Sequence, residues 1–349
     1  LIIIYNRDRY LDNLLSVLKK IKPQKIYIAA DGPNSSENQK KCEITRKKIE
    51  KAIFQTGYIR NRAAQAIQGK RSGTVGLIVP TLDNAIFSNL IQAFSVEMRK
   101  HGFTMLVATN GYDLNDEYKL LRSLLEHRVE GVALIGHDHS EETYNLLDIR
   151  NVPVVSMWNY KEKSKISCVG GENKEAGIEI AKHIISLGHK KIAIAFPNVI
   201  ENDRARDRQI GVIEYLNSKN ICIPEYWNIK TEYSVNDARN CAEELFKNHP
   251  LPTAIIAGND VIAKGIIYAA QANGLNVPGD ISITGIGDFS SSESSFPSIT
   301  TVRMRPNKVG VKAANVLLER INGDREAEPI RIKVSVEVKA RESTKLITN

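Results

Sequence analysis

The chain has 349 residues, 42% of them hydrophobic and 25% charged, with a formal net charge of +8. That length divides into two or three domains, and the composition excludes a disordered or fibrous chain. Its four cysteines, Cys42, Cys168, Cys222 and Cys241, form no C-x-x-C pair, which excludes a zinc ribbon or a disulfide framework and leaves reduced thiols.

The basic excess is N-terminal. Residues 1–72 carry 16 Lys and Arg against 6 Asp and Glu, whereas residues 73–349 carry 32 against 34. Charge alone therefore suits only the first stretch to phosphates. Residues 1–43 read as a strand (1–5), a helix (10–20) and a second strand (25–30), followed by the turn Asp31-Gly-Pro-Asn34. The opening Leu1-Ile-Ile-Ile-Tyr5 is too short, and lacks the preceding cations, to be a signal peptide. No run reaches the roughly 18 apolar residues of a membrane span, so a cytoplasmic protein without membrane partners is expected. Residues 45–53 have a helical pattern, and Asn61-Arg-Ala-Ala-Gln-Ala-Ile-Gln68 is a second helix-compatible stretch between Arg60 and Lys70-Arg71.

From residue 73 onward, short β-branched runs alternate with amphipathic stretches. Strands are predicted at 74–80, 103–109, 131–135, 152–155, 191–196, 254–257 and 281–285. Helices are predicted at 84–100, 116–128, 173–187, 208–217, 235–247 and 260–272. Strict alternation implies parallel sheets with right-handed crossovers. A break at Cys168-Val-Gly-Gly171 divides them into two lobes facing a cleft.

Ligands of such sheets sit beyond the carboxyl ends of the strands. The residues selected are Asp83, Asn84, Phe87, Asn110, His137 to His139, Trp158 and Asn159 in the first lobe. In the second they are Asp203, Arg204, Arg208, Asn259, Asp260 and Asp288. Aromatic faces among amides, carboxylates and arginines suit a small polyhydroxylated ligand. Taken singly, each polar position also fits a helix cap or a turn.

Six motifs, in order, carry a resemblance: Gly57-Tyr-Ile-Arg-Asn-Arg-Ala-Ala-Gln-Ala66, Thr74-Val-Gly-Leu-Ile-Val-Pro80, Arg208-Gln-Ile-Gly-Val212, Pro252-Thr-Ala-Ile-Ile-Ala-Gly-Asn-Asp260, Val277-Pro-Gly-Asp-Ile-Ser-Ile-Thr-Gly285 and Pro297-Ser-Ile-Thr-Thr-Val302. Together they resemble the lactose-repressor family of bacterial transcription regulators, most of all its gluconate-repressor branch. The resemblance implies an α/β, two-lobed periplasmic-binding-protein-like fold, with two parallel-sheet Rossmann-like lobes preceded by a small N-terminal α/β segment and a hinge helix. Its divisions would be a segment 1–53, a hinge linker 54–72, a first lobe of 73–168 plus 299–323 and a second of 169–298 plus 324–349. A helix over 307–321 would return to the first lobe, and 330–338 would complete the second.

The same resemblance implies an effector site of Asn84, Phe87, His139, Trp158, Arg208, Asn259 and Asp288. Arg208 matches the arginine that commonly contacts an effector's carboxylate or hydroxyls, and Asn259 with Asp260 matches the pair that lines the pocket and caps the next helix. The family's usual aspartate stands two residues after the strand glycine. Here the chain reads Gly285-Ile-Gly287-Asp288, so Asp288 is displaced by one position. Arg60, Asn61, Arg62, Ala63 and Ala66 fall on the hinge stretch that the family folds in the DNA minor groove.

The family's helix-turn-helix headpiece is not legible in residues 1–43, whose strand, helix, strand order resembles the opening of a GT-A nucleotide-sugar glycosyltransferase. A natural fusion and an assembly error both account for such a mosaic. Transferase activity is disfavoured, since such a domain needs on the order of 200 residues and no Asp-x-Asp motif for a divalent metal occurs. No Ser/His/Asp order, Gly-rich phosphate loop or metal-ligand cluster is present. A non-enzyme without metal or cofactor is expected: a homodimeric regulator in which a small carbohydrate, such as the sugar acid gluconate, controls operator binding. The alternatives are a sugar-binding module with no DNA role and, last, a glycosyltransferase.

Overall fold

The computed structural model describes residues 71–83, 85–323 and 327–347, and within the first seventy residues 2–4, 13, 16–17, 20, 28–30, 43–44, 47–51 and 53–55. The chain forms two compact units, residues 1–70 and 71–349. In the first, β1 (Ile2–Ile4) and β2 (Ile28–Ala30) pair in parallel with Ile2 opposite Ile28. Asn13, Ser16, Val17 and Lys20 between them are helical, the order expected of this segment. Residues 43–44, 47–51 and 53–55 are also helical, with Ile49 buried. The expected hinge residues Arg60, Asn61, Arg62, Ala63 and Ala66 lie outside the described residues.

The second unit runs β3 (Thr74–Val79), α1 (Ala85–Lys100), β4 (Thr104–Thr109), α2 (Leu114–Glu126), β5 (Val132–Ile135), α3 (Glu141–Ile149), β6 (Val154–Asn159), β7 (Ser167–Gly171), α4 (Asn173–Ser186), β8 (Ile192–Phe196) and α5 (Asp203–Ser218). It continues with β9 (Asn228–Lys230), α6 (Val235–Asn248), β10 (Ala254–Ala257), α7 (Asp260–Ala272), β11 (Ser282–Thr284), α8 (Ser290–Glu293), β12 (Thr301–Arg303), α9 (Pro306–Asn322), β13 (Arg331–Lys333) and β14 (Glu337–Lys339). Helix starts are set by side chains that accept otherwise orphaned N–H groups: Asp113 for α2, Ser140 for α3, Asn202 for α5, Ser234 for α6 and Asn259 for α7. Pro306 opens α9, where its missing N–H is harmless.

Two parallel sheets result. The first lobe's sheet has strand order β13-β7-β6-β5-β3-β4 and the second lobe's has β11-β10-β8-β9. Every residue of β5, β8 and β10 is buried, as befits strands covered on both faces. α9 returns to pack on α1 in the first lobe. In the second, α4 crosses α5 where Gly177 faces the Arg208 carbonyl and Gly211 faces the Lys174 carbonyl.

Two expectations are corrected here. The break at residues 168–171 is a strand, β7, which runs across the expected lobe boundary and belongs to the first sheet. Residues 330–338 do not complete the second lobe. β13 pairs with β7, placing Ile332 opposite Val169, and flanking bonds run from Cys168 N–H to the Ile330 carbonyl (2.8 Å) and from Val334 N–H to the Gly170 carbonyl (2.8 Å). Without β13, β7 would be an open edge with unpaired backbone groups. β14 instead pairs antiparallel with β12. The second lobe is stitched by later residues: Ile283 N–H donates to the Ser343 carbonyl (2.8 Å), Ser343 Oγ donates to the Ile283 carbonyl (2.6 Å) and Ile347 N–H donates to the Leu187 carbonyl (2.9 Å). No helix among the described residues is long and apolar enough to cross a membrane.

Candidate effector cleft

A cavity of about 20 Å³ lies at the carboxyl ends of the strands, lined by Phe87, Tyr112, Trp158, Arg204, Arg208, Tyr233, Asn259 and Phe289. That is room for about one water molecule. The walls come from both lobes. Phe87 stands on the first turn of α1, Tyr112 in the turn after β4 and Trp158 on β6. Arg204 and Arg208 are one turn apart on α5, Tyr233 precedes α6, Asn259 caps α7 and Phe289 stands just before α8.

The aromatic rings are ordered by one another. Phe87 meets Trp158 edge-on at 6.3 Å, while Tyr112 of the first lobe stacks on Tyr233 of the second at 5.9 Å and 26°. Tyr112 and Trp158 hold left-handed φ values of 67° and 83°. Such conformations cost about 1–3 kcal/mol each and collect at functional sites. Burial pushes the Tyr112 hydroxyl well above its ordinary pKa, reinforced by Tyr233 beside it.

Arg208 is 6% exposed and three of its five guanidinium N–H groups are engaged: Nε donates to the Arg204 carbonyl (3.0 Å), Nη1 to the Gly258 carbonyl (2.8 Å) and Nη2 to Tyr233 Oη (3.3 Å). Asn259 Oδ1 accepts from Ile262 N–H (2.9 Å), so its cap fixes the side chain at the cavity wall. Asp203 beside Arg204 is buried. Burial pushes its carboxyl up, but the Arg204 guanidinium and the hydrogen bond from Asn159 outweigh this and hold it below the usual carboxylate range.

Of the residues expected at the site, Phe87, Trp158, Arg208 and Asn259 come together on this cavity. Asn84 lies outside the described residues. His139 and Asp288 do not line it. The His139 ring is buried between Glu117 Oε1 (2.8 Å) and the Gly136 carbonyl (3.0 Å), against Tyr144. Asp288 is spent on two arginines, accepting from Arg303 Nε and from Arg341 Nη2 (2.6 Å), which ties α8's approach to β12 and to the segment after β14. Both were selected as polar residues after strands, and both pair with the chain itself. Tyr112, Tyr233 and Phe289 were missed. Tyr233 follows β9, a three-residue strand the hydrophobic pattern does not reveal; had it been recognised, the same rule would have selected this tyrosine. Among the described residues no group of three or more His, Cys, Asp or Glu is placed to hold a metal ion.

Residues 181–344 match the model of the periplasmic binding protein-like domain. The HTH-type transcriptional repressor PurR of Vibrio campbellii is 28% identical over 87% of this chain and 91% of its own length. Over most of its length the chain is similar to transcriptional repressors of this kind. Among solved structures, the transcription regulator GntR of Chromobacterium violaceum is 26% identical with a TM-score of 0.73, covering 78% of this chain and 99% of that one. The lac repressor dimer bound to operator and the anti-inducer ONPF shares the fold, with a TM-score of 0.74 at 23% identity over 82% of this chain and 99% of that one.

Proposed function

We propose that this regulator is controlled by a small carbohydrate, specifically a sugar acid of the gluconate type, bound between its lobes by Phe87, Trp158, Arg208 and Asn259 together with Tyr112, Arg204, Tyr233 and Phe289. The observation that carries the reading is the convergence of five aromatic rings and two arginines, drawn from both lobes, on one cavity beyond the strand ends. Ring faces stack on the C–H face of a sugar, and a guanidinium meets a carboxylate in a bidentate pair. Effector occupancy would be read by operator DNA through the hinge stretch Arg60, Asn61, Arg62, Ala63 and Ala66, in a homodimer whose two half-sites reinforce one another. With no reading helix legible in residues 1–43, operator binding by this chain is proposed to be weak.

The test is a thermal-shift panel of gluconate, other sugar acids, neutral sugars and sugar phosphates. A ligand at 100 times its Kd adds about 2.7 kcal/mol to stability. Stabilisation confined to sugar acids supports the proposal, stabilisation by neutral sugars alone removes the acid, and none at all removes the cleft. A gel shift at physiological salt addresses DNA separately, and tight operator binding would overturn the weak-binding statement.

A further inference from the structure

Beside the cavity, Arg204 and its neighbours at the start of α5 fasten the lobes to each other. The turn after β5, residues 136–138, is anchored in the first lobe, where Gly136 N–H donates to the Met157 carbonyl (2.9 Å) and Tyr144 Oη donates to the His137 carbonyl (2.9 Å). The first turn of α5 is part of the second lobe. Arg206 crosses between them, donating from Nη1 and Nη2 to the two oxygens of Asp138 at 2.7 and 2.8 Å. Asp203 Oδ2 accepts from His137 N–H (2.9 Å) and Asn159 Nδ2 (2.7 Å), and the same amide nitrogen reaches Asp207 Oδ2 (2.9 Å). Arg204 Nη1 donates to the Ile135 carbonyl (3.0 Å) while pairing with Asp203 (3.0 Å).

This approach is built into the backbone. Gly136 has a φ of +83°, and a Cβ there would run into the Arg204 guanidinium and the Asp203 carboxylate. Apart from Arg204, the groups bonded to the buried Asp203 carboxylate all come from the first lobe. Asp203-Arg-Ala-Arg-Asp207 thus presents alternating charges at one helix start, matched to donors and acceptors of the opposite lobe.

We infer that Asp203, Arg204, Arg206 and Asp207 form an interlobe clasp, fastened on Ile135, His137, Asp138 and Asn159, which shuts the cleft by the chain's own contacts and must unfasten before an effector enters. The inference rests on the proposed effector reading for its purpose, but its contacts exist independently of any ligand. Opening exchanges each bond for water and rehydrates a buried carboxylate and guanidinium, so the clasp is reversible. The bidentate Arg206–Asp138 pair, partly exposed at the rim, is the element most open to perturbation.

Hydrogen exchange at the His137 amide tests this, because its acceptor lies across the cleft. In the unliganded full chain, Arg206→Asp sets two carboxylates against each other, and exchange at His137 should rise by roughly tenfold while β5 and α7 keep their protection. The swap Asp138→Arg with Arg206→Asp should restore it. Unchanged exchange at His137 would overturn the clasp. So would a rise spread through the second lobe that the swap does not reverse, since the contacts would then be part of the fold itself. Neither result depends on identifying an effector, so the clasp and the effector reading can fail separately.

Discussion

Gly177 on α4 lies against the backbone carbonyl of Arg208 on α5, so the helix that carries a cleft arginine is seated directly on glycine. Backbone atoms have nowhere to rotate. Gly177→Ala therefore forces the two helices apart, at a cost of about 1–3 kcal/mol from overpacking. Urea unfolding should show a lower midpoint with an unchanged slope. A loss below about 0.5 kcal/mol, the scale of an ordinary surface change, would mean the helices slide freely.

Arg208 makes three hydrogen bonds inside the cavity wall. Under the proposed function, Arg208→Ala should weaken sugar-acid binding by roughly 2–4 kcal/mol, as expected for truncating one partner of a buried charge pair. Isothermal titration with gluconate reads this directly. Arg208→Lys keeps the charge but not the planar fork, and should recover only part of the loss. Equal affinities for all three chains would remove Arg208 from the site.

His137, His183 and His189 are all pushed below the ordinary imidazole value of 6.5, chiefly by burial. An unfolded chain binds protons at these histidines before the folded one does, so their contribution is present above pH 6.5 and is lost as pH falls through that value. The depressed carboxylates Asp203 and Asp288 titrate lower, from an ordinary value of 3.8, and the three histidines outnumber Asp260, whose carboxyl is pushed up by burial and which acts in the opposite direction. Tm should therefore decline between pH 7 and about pH 5. A flat profile over that range would falsify the assignment.

Asp260 is fully enclosed and ties α7 to two segments, α8 and β12: Oδ2 accepts from Phe289 N–H (2.8 Å) and Ser292 Oγ (2.6 Å), and Oδ1 accepts from Thr301 Oγ1 (2.5 Å). Asp260→Ala leaves the buried Phe289 N–H without an acceptor, a cost of about 1–3 kcal/mol. Asp260→Asn keeps one acceptor oxygen and should lose less. Chemical denaturation of the two variants decides, and equal losses would show that cavity volume matters more than the bonds.

Much of this architecture was legible because parallel strands buried on both faces leave continuous apolar runs. Leu77, Ile78 and Val79 or Ile192 to Phe196 announce themselves in that way. β7 was not legible, because Gly170 and Gly171 read as punctuation and one of its two neighbours, β13, comes from more than 150 residues away. Position relative to a strand end selected Phe87, Trp158, Arg208 and Asn259, which do line the cavity. The same rule also selected His139 and Asp288, which do not line it, since local sequence does not reveal that Glu117, Arg303 and Arg341 take up their polar atoms. Tyr112 escaped for a different reason: a tyrosine at positive φ in a turn carries no periodicity to read.

The threading of residues 331–347 through both lobes has a consequence for how the protein is made. Translation delivers β7 long before β13, and β11 long before Ser343. Until those late residues leave the ribosome, the first sheet keeps a bare edge and the second lobe lacks its stitching. Neither lobe can finish as its own residues appear, and the nascent chain carries two incomplete sheets, open to mispairing until residues 331–347 emerge.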